Sequence, residues 1–319
     1  MNFADHPVVH ALAPVFLLVA AGYGSGRRGW IGAASVKDLS NLVFLLLTPA
    51  LLFRTMGQVR IETLDWRPIA AYFTAVLLLL AVSIVWRGFN PRSVVLALGG
   101  TFSNMVMIGI ALVGLAYGQA GLVTLLTLVA VHALILLTIG SVALELAAAR
   151  ESQRESGEPP RLGATAWSAI KGAVIHPVPL PIVCGLLFAQ TGWTLPVALD
   201  KPLLWLGNAF GPLALVLVGV SLAGTPLQGQ WREAVSVALS KNLVLPVLVG
   251  ISAWLWGIDG LAWTVMVVAG ALPMGANVFL FAQRYRVVES LTTAAMGVST
   301  GLALLTLSLA MLVMGQLAG

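Results

Sequence analysis

The sequence predicts an all-α integral membrane protein of ten transmembrane helices. They form two inverted five-helix repeats, with the fourth and ninth helices broken and crossing. Three observations carry this expectation: the composition, the spacing of charges, and a match between the two halves. Of 319 residues, 59% are hydrophobic and 9% charged, against roughly 45–50% and 25% in soluble proteins. So few charges cannot cover a water-facing surface. A soluble globule, a disordered chain and a nucleic-acid binder are thereby excluded, and the lipid bilayer is the expected surrounding. The excess of 17 Lys and Arg over 12 Asp and Glu then reads as membrane topology. The single cysteine, Cys184, excludes an intramolecular disulfide framework and a cysteine-based zinc site.

A bilayer-spanning helix needs about 20 apolar residues. Residues 8–25 supply the first. No basic segment precedes them and Arg27-Arg28 follow, so they read as a retained helix and not a cleaved signal. The window 39–53 is short, but Lys37 and Arg54 can snorkel from its ends. Residues 68–86 give the third span. The uncharged stretch Ser93–Leu144 holds two more, with Tyr117-Gly118-Gln119-Ala120-Gly121 as the turn. The windows 172–199, 202–231, 234–258, 260–283 and 290–319 complete ten, and only Lys241 lies well inside one of them.

Loop charges set the orientation. One side carries Arg27, Arg28, Lys37, Arg87, Arg92, Arg150, Arg154, Arg161, Lys171, Arg232, Arg284 and Arg286. The other carries Arg54, Arg60, Arg67 and Lys201. The positive-inside rule therefore puts both termini on the non-cytoplasmic side of a bacterial inner membrane. The hydrophilic run from Arg150 to Gly163 mixes charges with Pro159-Pro160 and reads as a solvated linker. The predicted organisation is a first repeat over 1–149, a cytoplasmic linker over 150–165 and a second repeat over 166–319.

The halves match at an offset near 167. Asn41 answers Asn208, Trp66-Arg67 answers Trp231-Arg232, Gly100 answers Gly270, and Leu134-x-Leu-Leu-Thr138 answers Leu302-x-Leu-Leu-Thr306. Five spans per copy is odd, so the second copy enters the bilayer upside down, as in secondary transporters with midplane sites between inverted repeats. Unwound backbone at that depth is tolerated only where it lines a cavity or is buried in protein. Gly99-Gly100-Thr-Phe-Ser-Asn104-Met-Val-Met-Ile-Gly109 and Gly270-Ala-Leu-Pro273-Met-Gly275-Ala-Asn277 carry the breaks expected at matched places. Two opposed breaks would turn helix N-termini toward one point and suit a carboxylate.

The chain resembles the auxin efflux carrier family, bacterial malonate-type permeases and plant auxin exporters within the bile-acid/arsenite transporter group. The resemblance lies in Asn41-Leu-Val-Phe-x3-Thr-Pro49-Ala-Leu-Leu-Phe53, Asn104-Met-Val-Met-Ile-Gly109-Ile110, Lys241-x4-Pro246 and Ala271-Leu-Pro273-Met-Gly-Ala-Asn277-x-Phe279-x-Phe-Ala282. It implies a dimerising scaffold of helices 1, 2, 6 and 7, and a moving domain of helices 3–5 and 8–10. It further implies a substrate site formed by Asn104, Met105, Gly109 and Ile110 at the first crossover and by Pro273, Gly275, Ala276 and Asn277 at the second. Asn41 and Thr48 approach from the scaffold. One departure stands out: the family's Gly-Ile-Pro at the first break is Gly109-Ile110-Ala111 here, which implies a gentler kink.

Single residues carry alternatives. Asn104 and Asn277 either bind substrate or hydrogen-bond between helices. His132, ionisable and at mid-depth, either carries a coupling proton or sits neutral against a carbonyl. Lys241 either attracts anions or forms a gating ion pair, or else snorkels toward the cytoplasmic side. Arg54 reads as a snorkelling end residue, or else steers anions near the outer mouth, and Glu145 is interfacial beside Arg150. Gly297-Val-Ser299-Thr-Gly301 fits the nucleophile-elbow pattern, but its setting is an apolar helix with every histidine upstream, so chance explains it. Gly207 and Gly211 could serve a dimer face.

These readings converge on a secondary transporter of a small organic anion, a mono- or dicarboxylate, working by alternating access as a homodimer. Catalytic residues, metal sites and cofactors are not expected. The rival within the class is a sodium-coupled bile-acid-type symporter using Thr101, Ser103 and Asn277. The rivals outside it are a membrane-embedded enzyme, a passive channel and a partner-binding scaffold.

Overall fold

Prolines and asparagines mark where the helices begin, widen and stop. The structure, a computed structural model, describes residues 7–63, 65–156, 179–224 and 231–317. Helix α1 (Pro7–Arg27) is followed by α2 (Ala33–Leu42), which runs through a π-helical turn (Val43–Leu47) into α3 (Thr48–Met56). Then come α4 (Arg67–Arg87), α5 (Pro91–Thr101), a second π turn (Met105–Gly109) and α6 (Ile110–Ser156). Beyond residues 157–178 lie α7 (Pro179–Gln190), α8 (Val197–Ala223) and α9 (Trp231–Leu239). A third π turn (Ser240–Val244) leads into α10 (Leu245–Leu255), and α11 (Gly260–Ala271), α12 (Asn277–Tyr285) and α13 (Glu289–Leu317) complete the chain. Among the described residues the fold is all-helical but for one isolated bridge between Ser103 and Met274. Among the described residues six stretches are long and apolar enough to cross a bilayer, and Leu180–Gln190 and Gly260–Ala271 are shorter apolar helices.

Local chemistry explains the boundaries. Asn90 caps α5, its side chain accepting from Ser93 N at 2.9 Å, and Pro91 occupies the first turn where no donor is needed. Pro49 and Pro246 each follow a π turn. Proline offers no N–H and crowds the preceding turn, and a widened turn relieves both problems. At the first of these turns the Thr48 hydroxyl donates to Val43 O at 2.7 Å. Gly118 (φ 61°) reverses α6 where the sequence placed a turn, bringing Leu122 back beside Gly114.

Exposed Leu78, Val82, Val85, Leu187 and Leu305 clothe the outside in apolar surface, as a lipid solvent requires. Exposed Trp30, Trp66, Trp86, Trp193, Trp231 and Trp256 stand at or near helix ends, where an interfacial belt is expected. With lipid as apolar as the core, close packing and polar bonds hold such a bundle together. Helices α1 and α8 touch backbone to backbone. A Cβ on Gly22 would stand 2.0 Å from Val216 O, and one on Gly219 2.0 Å from Val19 O.

Four sequence expectations change. Helix α6 continues to Ser156, so residues 150–156 of the expected linker are helical, and the remainder lies outside the described residues. The window 172–199 ends early: α7 stops at Gln190, and α8 already contains Asp200 and Lys201 in its first turns. Gly207 packs on Leu51 and Gly211 faces Ala111, both within the chain, so this pair does not form a dimer face. Finally, Ala111 does not soften the first break, which lies upstream at Phe102–Asn104.

Candidate functional site

Helix α5 stops at Thr101 without a proline because its next donors are claimed by other elements. Ser103 N–H donates to His132 Nε2 at 3.3 Å, and Asn104 N–H donates to Pro273 O at 2.8 Å. The Thr101 hydroxyl turns back onto the carbonyls of Ala97 and Leu98. In α11 the break is encoded directly: Leu272, preceding proline, is extended (φ −56°, ψ 150°). Gly275 N–H returns the pairing to Phe102 O at 2.8 Å. The two interrupted helices thus cross through a single antiparallel bridge, and each resumes as a new helix beyond it.

Both resuming helices present their first turn to one cavity of about 350 Å³. Its wall includes Asn104, Met105 and Met107 from the first crossover, and Gly275, Ala276 and Asn277 from the second. His132 closes one side, and Asn41 and Phe44 face them from α2 and its π turn. Asn104 also caps the π turn, its Oδ1 accepting from Met107 N at 3.2 Å. Among the described residues, no Asp or Glu lines this cavity. Helix N-termini carry partial positive charge, so the field at the crossing favours an anion.

The opposite dipole ends are neutralised from behind. Lys241, fully buried, donates from Nζ to Gly270 O and Leu272 O at 2.6 Å each. A cation at a helix C-terminus satisfies carbonyls that have no intrahelical donor. Beside it, Ser299 Oγ accepts from Met274 N–H at 2.9 Å and donates to Asn242 Oδ1 at 2.6 Å. Each such buried bond matters because an orphaned backbone donor or acceptor costs about 1–3 kcal/mol.

The structure gathers Asn41, Asn104, Met105, Gly275, Ala276, Asn277 and His132 around the cavity. The other candidates stand apart from it. Gly109 packs on Leu272 and Ile110 is buried in the core. Pro273 contributes its carbonyl to the bridge, and Thr48 is buried with its hydroxyl on Val43. Lys241, fully buried and bonded to two backbone carbonyls, does not snorkel, and among the described residues it meets no carboxylate. Arg54 is held by Asp200, Nε to Oδ1 at 2.7 Å and Nη2 to Oδ2 at 3.1 Å, which commits its fork to structure. Glu145 accepts from Tyr285 Oη at 2.8 Å. Sequence reasoning missed Phe44, Phe102, Val129 and Leu280 on the wall, and it missed Asn242 and Ser299 behind it. Apolar wall residues carry no signal in so apolar a chain.

A helical membrane bundle with a cavity where two interrupted helices cross has the architecture of a membrane transporter. Residues 7–311 match the family described as Membrane transport protein. A Rhizobium meliloti protein named "Putative malonate transporter" is 23% identical over 302 residues, covering 92% of each chain. The Escherichia coli (strain K12) protein named "Uncharacterized transporter YfdV" is 23% identical over 298 residues, covering 90% of this chain and 91% of that one. The mouse "Lysosomal cholesterol signaling protein" is 25% identical over 253 residues, 75% of this chain but 29% of its own length. The chain belongs to the membrane transport protein family, the auxin efflux carrier family that its motifs resemble. These are transporters and not enzymes, and Ser299 sits within a continuous helix, bonded to backbone and amide.

Proposed function

We propose that this protein is a secondary transporter of a small organic anion, a mono- or dicarboxylate, bound at the crossing of α5–α6 with α11–α12. The observation that carries the reading is a cavity faced by two helix N-termini and two asparagines, Asn104 and Asn277, with no acidic side chain among the described residues of its wall. Amide and backbone donors suit a carboxylate, and a carboxylate brought there meets no like charge among the described lining residues. The resemblance to a protein named for malonate supports a dicarboxylate. The sodium alternative is less well supported, since the Thr101 hydroxyl is bound to its own helix and Ser103 Oγ pairs with Tyr72 Oη at 3.3 Å.

Alternating access by sliding of one body past another fits the distribution of polar bonds. Arg54–Asp200 and Gln190–Val59 tie α3, α7 and α8 together. Tyr72–Ser103, Ser252–Ala71, Asn242–Ser299, Arg92–Glu233 and Tyr285–Glu145 tie α4–α6 to α9–α13 or link helices inside that group. The cavity lies where the two groups meet, with Asn41 and Phe44 on the first and Asn104 and Asn277 on the second. In this reading the first group is the scaffold, the site of dimerisation, and the second carries the substrate. Ten spans in two inverted repeats, with both termini non-cytoplasmic, complete it; α5 and α11 each end one residue after Gly100 and Gly270.

The test is uptake of radiolabelled malonate by proteoliposomes, beside a thermal-shift screen of the purified protein against a carboxylate panel. Saturable uptake and a carboxylate-dependent rise in melting temperature are expected. Stabilisation by sodium alone, with no response to any carboxylate, would overturn the reading.

A further inference from the structure

The bridge at the crossing leaves two backbone donors pointing outward. Ser103 and Met274 face each other, while the bonds between the segments run from Asn104 N to Pro273 O and from Gly275 N to Phe102 O. In an antiparallel pair of this kind, the N–H groups of the facing residues turn away from the partner segment. Each needs an acceptor from elsewhere in the bundle. Ser103 N–H finds His132 Nε2 on α6, and Met274 N–H finds Ser299 Oγ on α13. Ser299 follows His132 by 167 positions, the offset that relates Asn41 to Asn208.

We propose that His132 and Ser299 are equivalent positioning residues of the two halves, each clamping the extended residue at its own helix break and so fixing where Asn104 and Asn277 stand. Helices flanking the crossing on the other side complete each clamp. Tyr72 Oη meets Ser103 Oγ, and Asn242 Oδ1 accepts from Ser299. The imidazole is wedged against Phe102, with ring centroids 4.8 Å apart, and lies near Tyr72 and Phe73. Because Nε2 receives the Ser103 N–H, the neutral ring holds its hydrogen on Nδ1. His132 is therefore a fixed acceptor, and its equivalent can be a serine because accepting one backbone N–H is the role that the two positions share.

The inference builds on the crossing as the substrate site, and two readouts separate the two ideas. Amide hydrogen exchange of the full-length protein in nanodiscs, without substrate, reads the clamps. His132→Leu is expected to speed exchange about tenfold or more in peptides containing Ser103, and Ser299→Ala to do so in peptides containing Met274. His132→Gln and Ser299→Thr, which keep an acceptor at each place, restore protection. Malonate affinity of the same four variants reads the site, falling in the first pair and recovering in the second. Unchanged protection at Ser103 and Met274 in His132→Leu and Ser299→Ala overturns the clamp whatever transport does. Lost protection with unchanged malonate affinity upholds the clamp and counts against the substrate site instead.

Discussion

Lys241 Nζ reaches Leu272 O at 2.6 Å across the end of a broken helix, and with Gly270 O it closes the C-terminus of α11 from within the bundle. This contact separates two jobs that a transporter needs done at one depth. The carbonyl ends of the interrupted helix are satisfied by a buried side chain, leaving the amide ends of the resuming helices to the cavity. Lys241→Met keeps the aliphatic length but leaves two carbonyls unbonded. A loss of about 2 kcal/mol or more is expected, seen as a lower thermal-inactivation midpoint in detergent. A midpoint equal to that of the unaltered protein would show that water or other donors replace the ammonium.

The two asparagines at the cavity make a sharper functional prediction. Asn104 and Asn277 are half-buried, and each stands at the start of a resuming helix. Replacing either by alanine removes donors available to a charged substrate, where a hydrogen bond contributes about 1.5–3 kcal/mol. The Michaelis constant for malonate uptake should rise about tenfold or more in each variant, with folded yield retained. Asn104→Ala is expected to lose slightly more stability, because Asn104 Oδ1 also caps the turn at Met107.

Glycine contacts predict stability at a distance from the site. Any Cβ at Gly219 would run into Val19 O at 2.0 Å, and any at Gly22 into Val216 O. Gly22→Ala or Gly219→Ala must therefore push α1 and α8 apart, and monodisperse yield in size-exclusion chromatography should collapse. Gly301→Ala meets nothing within 4 Å and should express normally. Equal yields from all three would mean that these two helices do not touch as closely as drawn.

Much of this was legible in the sequence because it depends on strong local signals. Charge-free windows gave the helices, Pro273 gave one break, and Gly118 gave the turn in α6. The first break was harder to place. It is held by acceptors from elsewhere in the fold, His132 and Pro273, so its position at Phe102 lacks a local proline to announce it. The partners of Lys241 and Arg54 were hidden for a related reason. An isolated cation in an apolar window looks available, yet its partners are a carbonyl pair 29 and 31 residues away for one and Asp200 for the other. The strand-like bridge has no periodicity to detect, being one residue long on each side.

Arg54 yields a prediction opposite to its first reading. With the Nε–Nη2 edge of its guanidinium on Asp200, its charge is already matched by a carboxylate and is not held ready to draw anions toward an outer mouth. Arg54→Ala should leave the ionic-strength dependence of malonate uptake unchanged, while lowering stability by about 1 kcal/mol, given the pair's partial exposure. The double replacement Arg54→Ala with Asp200→Ala should be no worse than either single change, because it leaves no unpaired charge. A shallower fall of uptake with ionic strength in the single variant would restore the steering role.

His132 carries the last prediction, and it bears on how transport is driven. A histidine at mid-membrane invites the role of proton carrier, since an unperturbed imidazole titrates near neutral pH. To carry a proton here, Nε2 would have to take one, and an N–H would then confront the Ser103 N–H it now accepts from. The crossing backbone would lose its partner at the moment of transfer, and the site would loosen just as it must hold substrate. Gln at position 132 preserves the acceptor and cannot titrate in this range. The ratio of malonate uptake with and without an imposed pH gradient should therefore be the same in His132→Gln as in the unaltered protein. A ratio that falls to one only in the variant would make His132 the proton carrier and place the clamp second to that role.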